Sequence, residues 1–198
     1  VTDRKDYQYR DSAGLLEAMG VLKGFEDDTF DRYADVKRAD FAIWAVRTLR
    51  LDEDNAVVSE NVFDDVKADH YAAPAIKTLK ELKIVSGEGD HFRPDDKITL
   101  LEAAIILTGM TGRSALVSAK GGYPYGWMTV AGAADILKNV SVGMNDTLTK
   151  DNAVMLLANA VQTDIAVYDG NHFSIASGRT ILSEYYDIYY TDGIVTSN

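Results

Sequence analysis

The chain carries 31 Asp and Glu residues and 3 histidines but no cysteine, so any reaction or metal chemistry must be built from carboxylates and imidazoles. Such chemistry needs its groups at spacings that bring them to one helix face or one loop. His70, His91 and His172 are scattered, and none has a second ligand at metal spacing. No Ser/His/Asp set is present. The acidic run Glu26-Asp27-Asp28 through Asp31 lacks the alternating oxygen ligands and terminal glutamate of a calcium loop. Carboxylate pairs of the glycosidase kind remain the one catalytic option, but the acidic residues fall in loops and helix starts. The pattern argues against an enzyme, a cofactor or a metal centre. Lack of cysteine excludes disulfides and thiolate metal sites and is compatible with either an exported or a cytosolic protein. A net charge of −11 argues against nucleic acid as a partner, because phosphate binding needs a basic face and none is concentrated here.

The elements that position these residues repeat. With 46% hydrophobic residues in 198, the chain can bury a sizeable core, while no apolar run is long enough to cross a bilayer. Three segments align as helices that follow a polar start: Val36-Lys37-Arg38-Ala39-Asp40-Phe41, Ile98-Thr99-Leu100-Leu101-Glu102-Ala103 and Leu148-Thr149-Lys150-Asp151-Asn152-Ala153. Thr99 with Glu102 three residues on is a capping box, in which each side chain satisfies an orphaned N–H of the first turn. Thr149 and Asn152 occupy the same places, whereas Lys37 replaces the threonine and predicts a weaker cap. Apolar residues then recur at helical spacing, as in Ala42, Ala45, Val46 and Leu49, or Val154, Leu157, Ala158 and Val161. Upstream of each lies a glycine turn and, before it, a first helix, clearest in Ala72, Ala75, Ile76, Leu79 and Leu82.

One helical pair cannot bury such a face alone, so the copies are expected to pack their second helices at a common centre. The predicted fold is mainly α: three helical-pair repeats (about 11–52, 61–111 and 123–162) forming a pseudo-threefold prism around a central three-helix bundle within residues 1–163. Residues 164–198 read as a connector and the start of a β-rich region that continues beyond the chain. Tyr185 to Tyr190 and Ile194 to Thr196 have the content of strands, Asp192-Gly193 that of a tight turn. A chain cut at about residue 163 is expected to fold without this tail.

The best-formed copy resembles the S-layer homology (SLH) repeats of bacterial surface proteins. The matching residues, in order, are Phe63-Asp64-Asp65-Val66, His70-Tyr71-Ala72, Ile76-x-x-Leu79, Ile84-Val85-Ser86-Gly87, Phe92-Arg93-Pro94, and Thr99 with Glu102. The family's arginine after the threonine is Leu100 here. The first copy keeps that arginine as Arg38, together with Gly20-Val21-Leu22-Lys23-Gly24; the third has Lys150 in its slot and Tyr125-Gly126-Trp127 as the aromatic pair. The resemblance covers roughly residues 11 to 162.

The resemblance implies a non-covalent anchor that holds an exported protein on the bacterial cell wall or S-layer by binding secondary cell-wall polysaccharide, often pyruvylated, in grooves between repeats. It makes Arg38 and Lys150 the cations that grip a carboxylate, Tyr71 and Trp127 the rings that cover sugar faces, Gly24 and Gly87 the points of close backbone approach, and Asp64 and Asp65 the groups that orient hydroxyls. Arg38 is then expected to be dispensable for stability. The same residues also admit plainer roles: solvated first-turn cations, rings packed at helix starts, glycines ending first helices, and aspartates capping the helix that follows. A rival reading is a structural module that joins other copies or downstream domains of a surface array, with degenerate glycan sites.

Overall fold

In a computed structural model, which describes residues 4–22, 30–51, 57–191 and 194–197, the protein is mainly helical. The helices are α1 (Arg4–Ala18), α2 (Arg38–Thr48), α3 (Ala73–Glu81), α4 (Leu100–Met110), α5 (Tyr125–Ala133), α6 (Lys150–Gln162) and α7 (Ile181–Tyr186). Two antiparallel two-stranded sheets follow α6: β1 (Asp164–Tyr168) with β2 (Phe173–Thr180), and β3 (Ile188–Thr191) with β4 (Ile194–Ser197).

The second helices α2, α4 and α6 each contact the other two. Their facing surfaces are rich in alanine, with Ala39, Ala42, Ala45, Ala103, Ala104, Ala153 and Ala158 all fully buried, and small side chains let helix backbones approach closely. The residues leading into these helices meet as well. The Val36 amide donates to the Leu148 carbonyl (3.1 Å), the Ile98 amide to Val36 (2.9 Å), and the Leu148 amide to Ile98 (2.9 Å), closing a ring. All three side chains are buried, so each backbone N–H and C=O needs a partner inside the protein, and the ring supplies it.

The outer helices pair in a way that periodicity does not reveal. α3 packs chiefly on α2, α5 on α4, and α1 on α6, so each first helix covers the second helix of a neighbouring copy rather than its own. Between α3 and α4 the chain runs through the glycine turn and the Phe92-Arg93-Pro94 loop. The helical pairs expected within each copy are therefore pairs between copies.

The capping box at Thr99 and Glu102 is formed in both directions. α2 begins at Lys37 without a side-chain cap, as its sequence predicts. α6 also lacks one: the Asn152 amide donates to the Thr149 hydroxyl, which itself donates to Asp151, so the threonine is diverted from the backbone.

The tail differs from expectation at Tyr185 and Tyr186. These close helix α7 rather than opening a strand, because Thr180 and Ser183 form a second capping box and Asp187, in the left-handed region at φ 54°, ends the turn. Strand β3 starts only at Ile188 and pairs with β4 from Ile188↔Ser197 to Thr191↔Ile194. Ile181 and Leu182 are fully buried in the same core as the central helices.

Candidate functional site

A groove of about 310 Å³ opens beside α2, lined by Leu22, Phe30, Asp40, Trp44, Arg47 and Lys150 among others. It draws on two copies, since Asp40 and Trp44 project from α2 and Lys150 is the first residue of α6. The Lys150 ammonium lies 4.8 Å from the Phe30 ring centroid, and Phe30 and Trp44 sit 6.2 Å apart, tilted by 35°. A cation resting on an aromatic wall opposite a carboxylate is a set that can hold a sugar: the ring covers an apolar face and the charged groups bond hydroxyls or an acidic substituent.

Asp40 links this groove to the copy on its other side. It accepts a 2.8 Å hydrogen bond from the Tyr71 hydroxyl, while the Tyr71 ring, 57% exposed, stacks on His70 at 4.7 Å. Partial burial, reinforced by the bond to Asp40, holds the Tyr71 phenol well above its usual range, so it acts as a donor. Lys150 and Asp40 thus line the same groove, and Tyr71 bonds that aspartate. Asp40, Trp44 and Phe30 are residues that motif reading passed over. Trp44 lies off the apolar period set by Ala42, Ala45, Val46 and Leu49, and it is only partly buried.

Arg38 is not part of an open groove. Only 8% exposed, it donates from Nε to the Phe92 carbonyl at 2.8 Å, pairs through Nη1 with Glu102 at 2.8 Å, and lies 4.7 Å from the Phe92 ring centroid. Its backbone N–H is also taken, by the Asp96 carbonyl. Arg38 ties the first copy to the Phe92-Arg93-Pro94 loop of the second. Arg93 reaches the same Glu102 carboxylate from outside. Leu100, in the equivalent slot of the second copy, is buried, so of the three slots Lys150 is the one that faces the groove.

Asp65 accepts the amides of Phe92 (2.9 Å) and Arg93 (2.7 Å) and so clamps that loop. Burial pushes its carboxyl up, but these amides outweigh burial and hold it below the ordinary value. Asp64 is exposed, with its amide bonded to the Asp90 carbonyl. Trp127, on α5, is half-buried and away from the groove. Gly24 and the acidic run from Glu26 to Thr29 lie outside the described residues. Among the described residues no group of three His, Asp or Glu side chains is placed to hold a metal, and no helix is long and apolar enough to cross a membrane.

Gly87 is required by packing. At φ +76° it occupies the left-handed region, and a Cβ there would lie 2.6 Å from Phe63 Cε1 and 2.8 Å from the His91 carbonyl oxygen. Phe63 in turn stacks on the fully buried Phe92 at 5.8 Å. Gly87→Ala is expected to lower the unfolding free energy by about 2–4 kcal/mol, combining the left-handed penalty with displaced aromatic packing. Urea denaturation measures it. A loss under about 1 kcal/mol would show that the turn relaxes freely.

The S-layer homology domain family matches residues 62–104, the span that holds Asp64, Asp65, Tyr71, Gly87 and the capping box. These residues form an S-layer homology domain. Beyond it, the chain is 26% identical over 152 residues, or 76% of its length, to the middle cell wall protein of Brevibacillus brevis, of which it spans 14%. It is 34% identical over 97 residues (48% of this chain, 22% of the relative) to the cellulosome-anchoring protein of Acetivibrio thermocellus. It is 31% identical over 104 residues (52% of this chain) to the amylopullulanase of Thermoanaerobacterium thermosulfurigenes, of which it covers 5%.

Proposed function

We propose that the protein is a non-covalent anchoring module of an exported bacterial surface protein, placed at the cell wall and retained by secondary cell-wall polysaccharide. The S-layer homology domain at residues 62–104 carries this reading. Relatives named as a cell wall protein and as a cellulosome-anchoring protein support it. The overlap with an enzyme, the amylopullulanase, covers 5% of that protein and so supports a shared attachment module rather than a shared reaction. In this reading the three copies act as one prism, and the polymer binds in the groove of Lys150, Trp44 and Asp40, with Tyr71 beside it. Lys150 grips an acidic substituent such as a pyruvyl ketal carboxylate.

The test is retention on purified cell-wall sacculi. The chain is expected to bind sacculi, to lose binding when the wall polymer is chemically stripped, and to bind about tenfold more weakly as Lys150→Ala or Trp44→Ala, the usual size for one charge-assisted bond or one stacked ring. Circular dichroism confirms folding of both variants. Retention that survives stripping of the polymer would refute the reading.

A second reading has its own observation. Because Arg38 is sequestered and Leu100 is buried, two of the three cationic slots do not face the groove, as in an assembly module with degenerate glycan sites. No retention of the unmutated chain, together with self-association or binding to other array domains, would favour it.

A further inference from the structure

A second cleft, of about 690 Å³, lies at the opposite end of α6 from the groove. It is framed by the connector after α4, by the end of α5, by the last turn of α6 and by β2. Lys150 and Gln162 mark the two ends of α6, so the sites are about 18 Å apart at 1.5 Å per residue. Its volume falls within the range of small-molecule pockets.

Arg113 carries the argument. It lines this cleft yet is only 5% exposed, and the one side-chain hydrogen bond it makes among the described residues runs from Nη1 to the Thr111 carbonyl at a long 3.3 Å. A guanidinium has five N–H donors, and no Arg113 nitrogen is a buried atom left without a partner, so the donors it does not spend on Thr111 are open to solvent at the cleft. Asp164 is near enough to favour its charge but is held elsewhere, accepting the Gly178 amide at 3.0 Å. The remaining Arg113 donors are therefore available to a ligand in the cleft.

The rest of the lining narrows the class. Lys120 and Lys138 add two exposed cations at the rim, against Asp135 and Asp164, so the cleft is net positive in a chain of net charge −11. The carbonyl ends of α4, α5 and α6 offset part of this charge. Arg113 already meets the α4 end through Thr111, and Asn159 meets the end of α5 by donating to the Ile136 and Lys138 carbonyls, which leaves its own carbonyl oxygen for a hydroxyl. Among the described residues no aromatic ring lines the cleft, so a neutral sugar finds no stacking surface there.

We propose that this cleft binds a small hydroxylated oxyanion, a sugar acid or sugar phosphate, with Arg113 gripping the anionic group and Lys120 and Lys138 drawing it in. The site is independent of the groove assigned to the wall polymer.

Titration calorimetry of the full chain at low salt tests it with three probes: glucuronate, inorganic phosphate and glucose. Glucuronate is expected to bind at least tenfold more tightly than glucose. Its affinity should fall about tenfold in the exposed Lys120→Gln, Lys138→Gln double variant, where folding is not at risk, and further in Arg113→Gln. Lys150→Ala should leave glucuronate binding unchanged, which separates this site from the groove. Binding of phosphate without glucuronate would assign the same oxyanion site to phosphorylated ligands. Binding of neither anion, equal binding of glucose, or indifference to the lysine double variant would overturn the proposal, whatever the result on sacculi.

Discussion

Replacing Arg38 by alanine is expected to lower the unfolding free energy by about 3 kcal/mol, the low end of the cost of breaking a buried ion pair from one side. The value sits at the low end because Arg93 still reaches Glu102 from the surface. What the substitution leaves behind decides the size: a Glu102 carboxylate whose side chain is 18% exposed, and a Phe92 carbonyl without its 2.8 Å donor. Equilibrium urea unfolding at neutral pH measures it, and a midpoint unchanged within about 0.5 kcal/mol would show that the pair contributes nothing.

The pH dependence gives an independent sign. Burial pushes the Glu102 carboxyl up, but the Thr99 amide and Arg38 more than offset this, and its folded pKa lies below the ordinary value. A lowered folded pKa contributes stability that is complete above the unfolded value, near pH ~4.3, and is lost as pH falls toward the folded one. Removing Arg38 raises the folded pKa back toward the unfolded value. The variant should therefore be less stable at pH 7 and show a smaller further loss on acidification through pH ~4 than the parent. An arginine free to bind a ligand, as the first-turn position suggests, would alter neither curve.

Why that position misleads is instructive about what the chain discloses. Local features were readable because their causes are local: the Thr99/Glu102 capping box, the missing cap at Lys37, and the alanine-rich faces of α2, α4 and α6 depend on residues within a turn or two of each other. Arg38 is covered by the Phe92-Arg93-Pro94 loop, more than fifty positions away, and nothing near Arg38 announces it. The outer helices fail for the same reason. The period of α3 says that one face is buried, not that its cover is α2. Tyr185 and Tyr186 show the reverse error: strand-like composition outweighed a weaker local signal, Thr180 with Ser183 three residues on, that caps a six-residue helix. The repeat slots single out Lys150, which lines the groove, whereas Trp44 lies off the named apolar period and belongs to no repeat motif.

Cutting the chain after Thr163 is expected to destabilise it by on the order of 5 kcal/mol, enough to abolish a cooperative transition in a protein of ordinary stability. The tail was expected to be separable, but its packing argues otherwise. Ile181 and Leu182 are 1% and 0% exposed within the main core, and α7 lies against α6. Burying two such side chains contributes about 1.5–3 kcal/mol each. The tail also ties together elements that do not adjoin in sequence. The Tyr186 hydroxyl donates to the Arg47 carbonyl at 2.8 Å, Arg50 donates to the Tyr185 carbonyl at 2.7 Å, and the Ala166 amide donates to Thr111 at 2.8 Å. Each such bond contributes about 1 kcal/mol. Since α1 covers another face of α6, the cut would leave α6 with cover from α1 but an open stripe where α7 had been. Thermal unfolding followed by circular dichroism, with a hydrophobic dye to report exposed apolar surface, reads the effect. The full-length Ile181→Ala, Leu182→Ala variant separates loss of core from loss of chain: it should recover most of the destabilisation at about 2–5 kcal/mol per site. A truncated chain that melts cooperatively at the parent temperature would show that α7 only rests on the helices and that residues 1–163 stand alone.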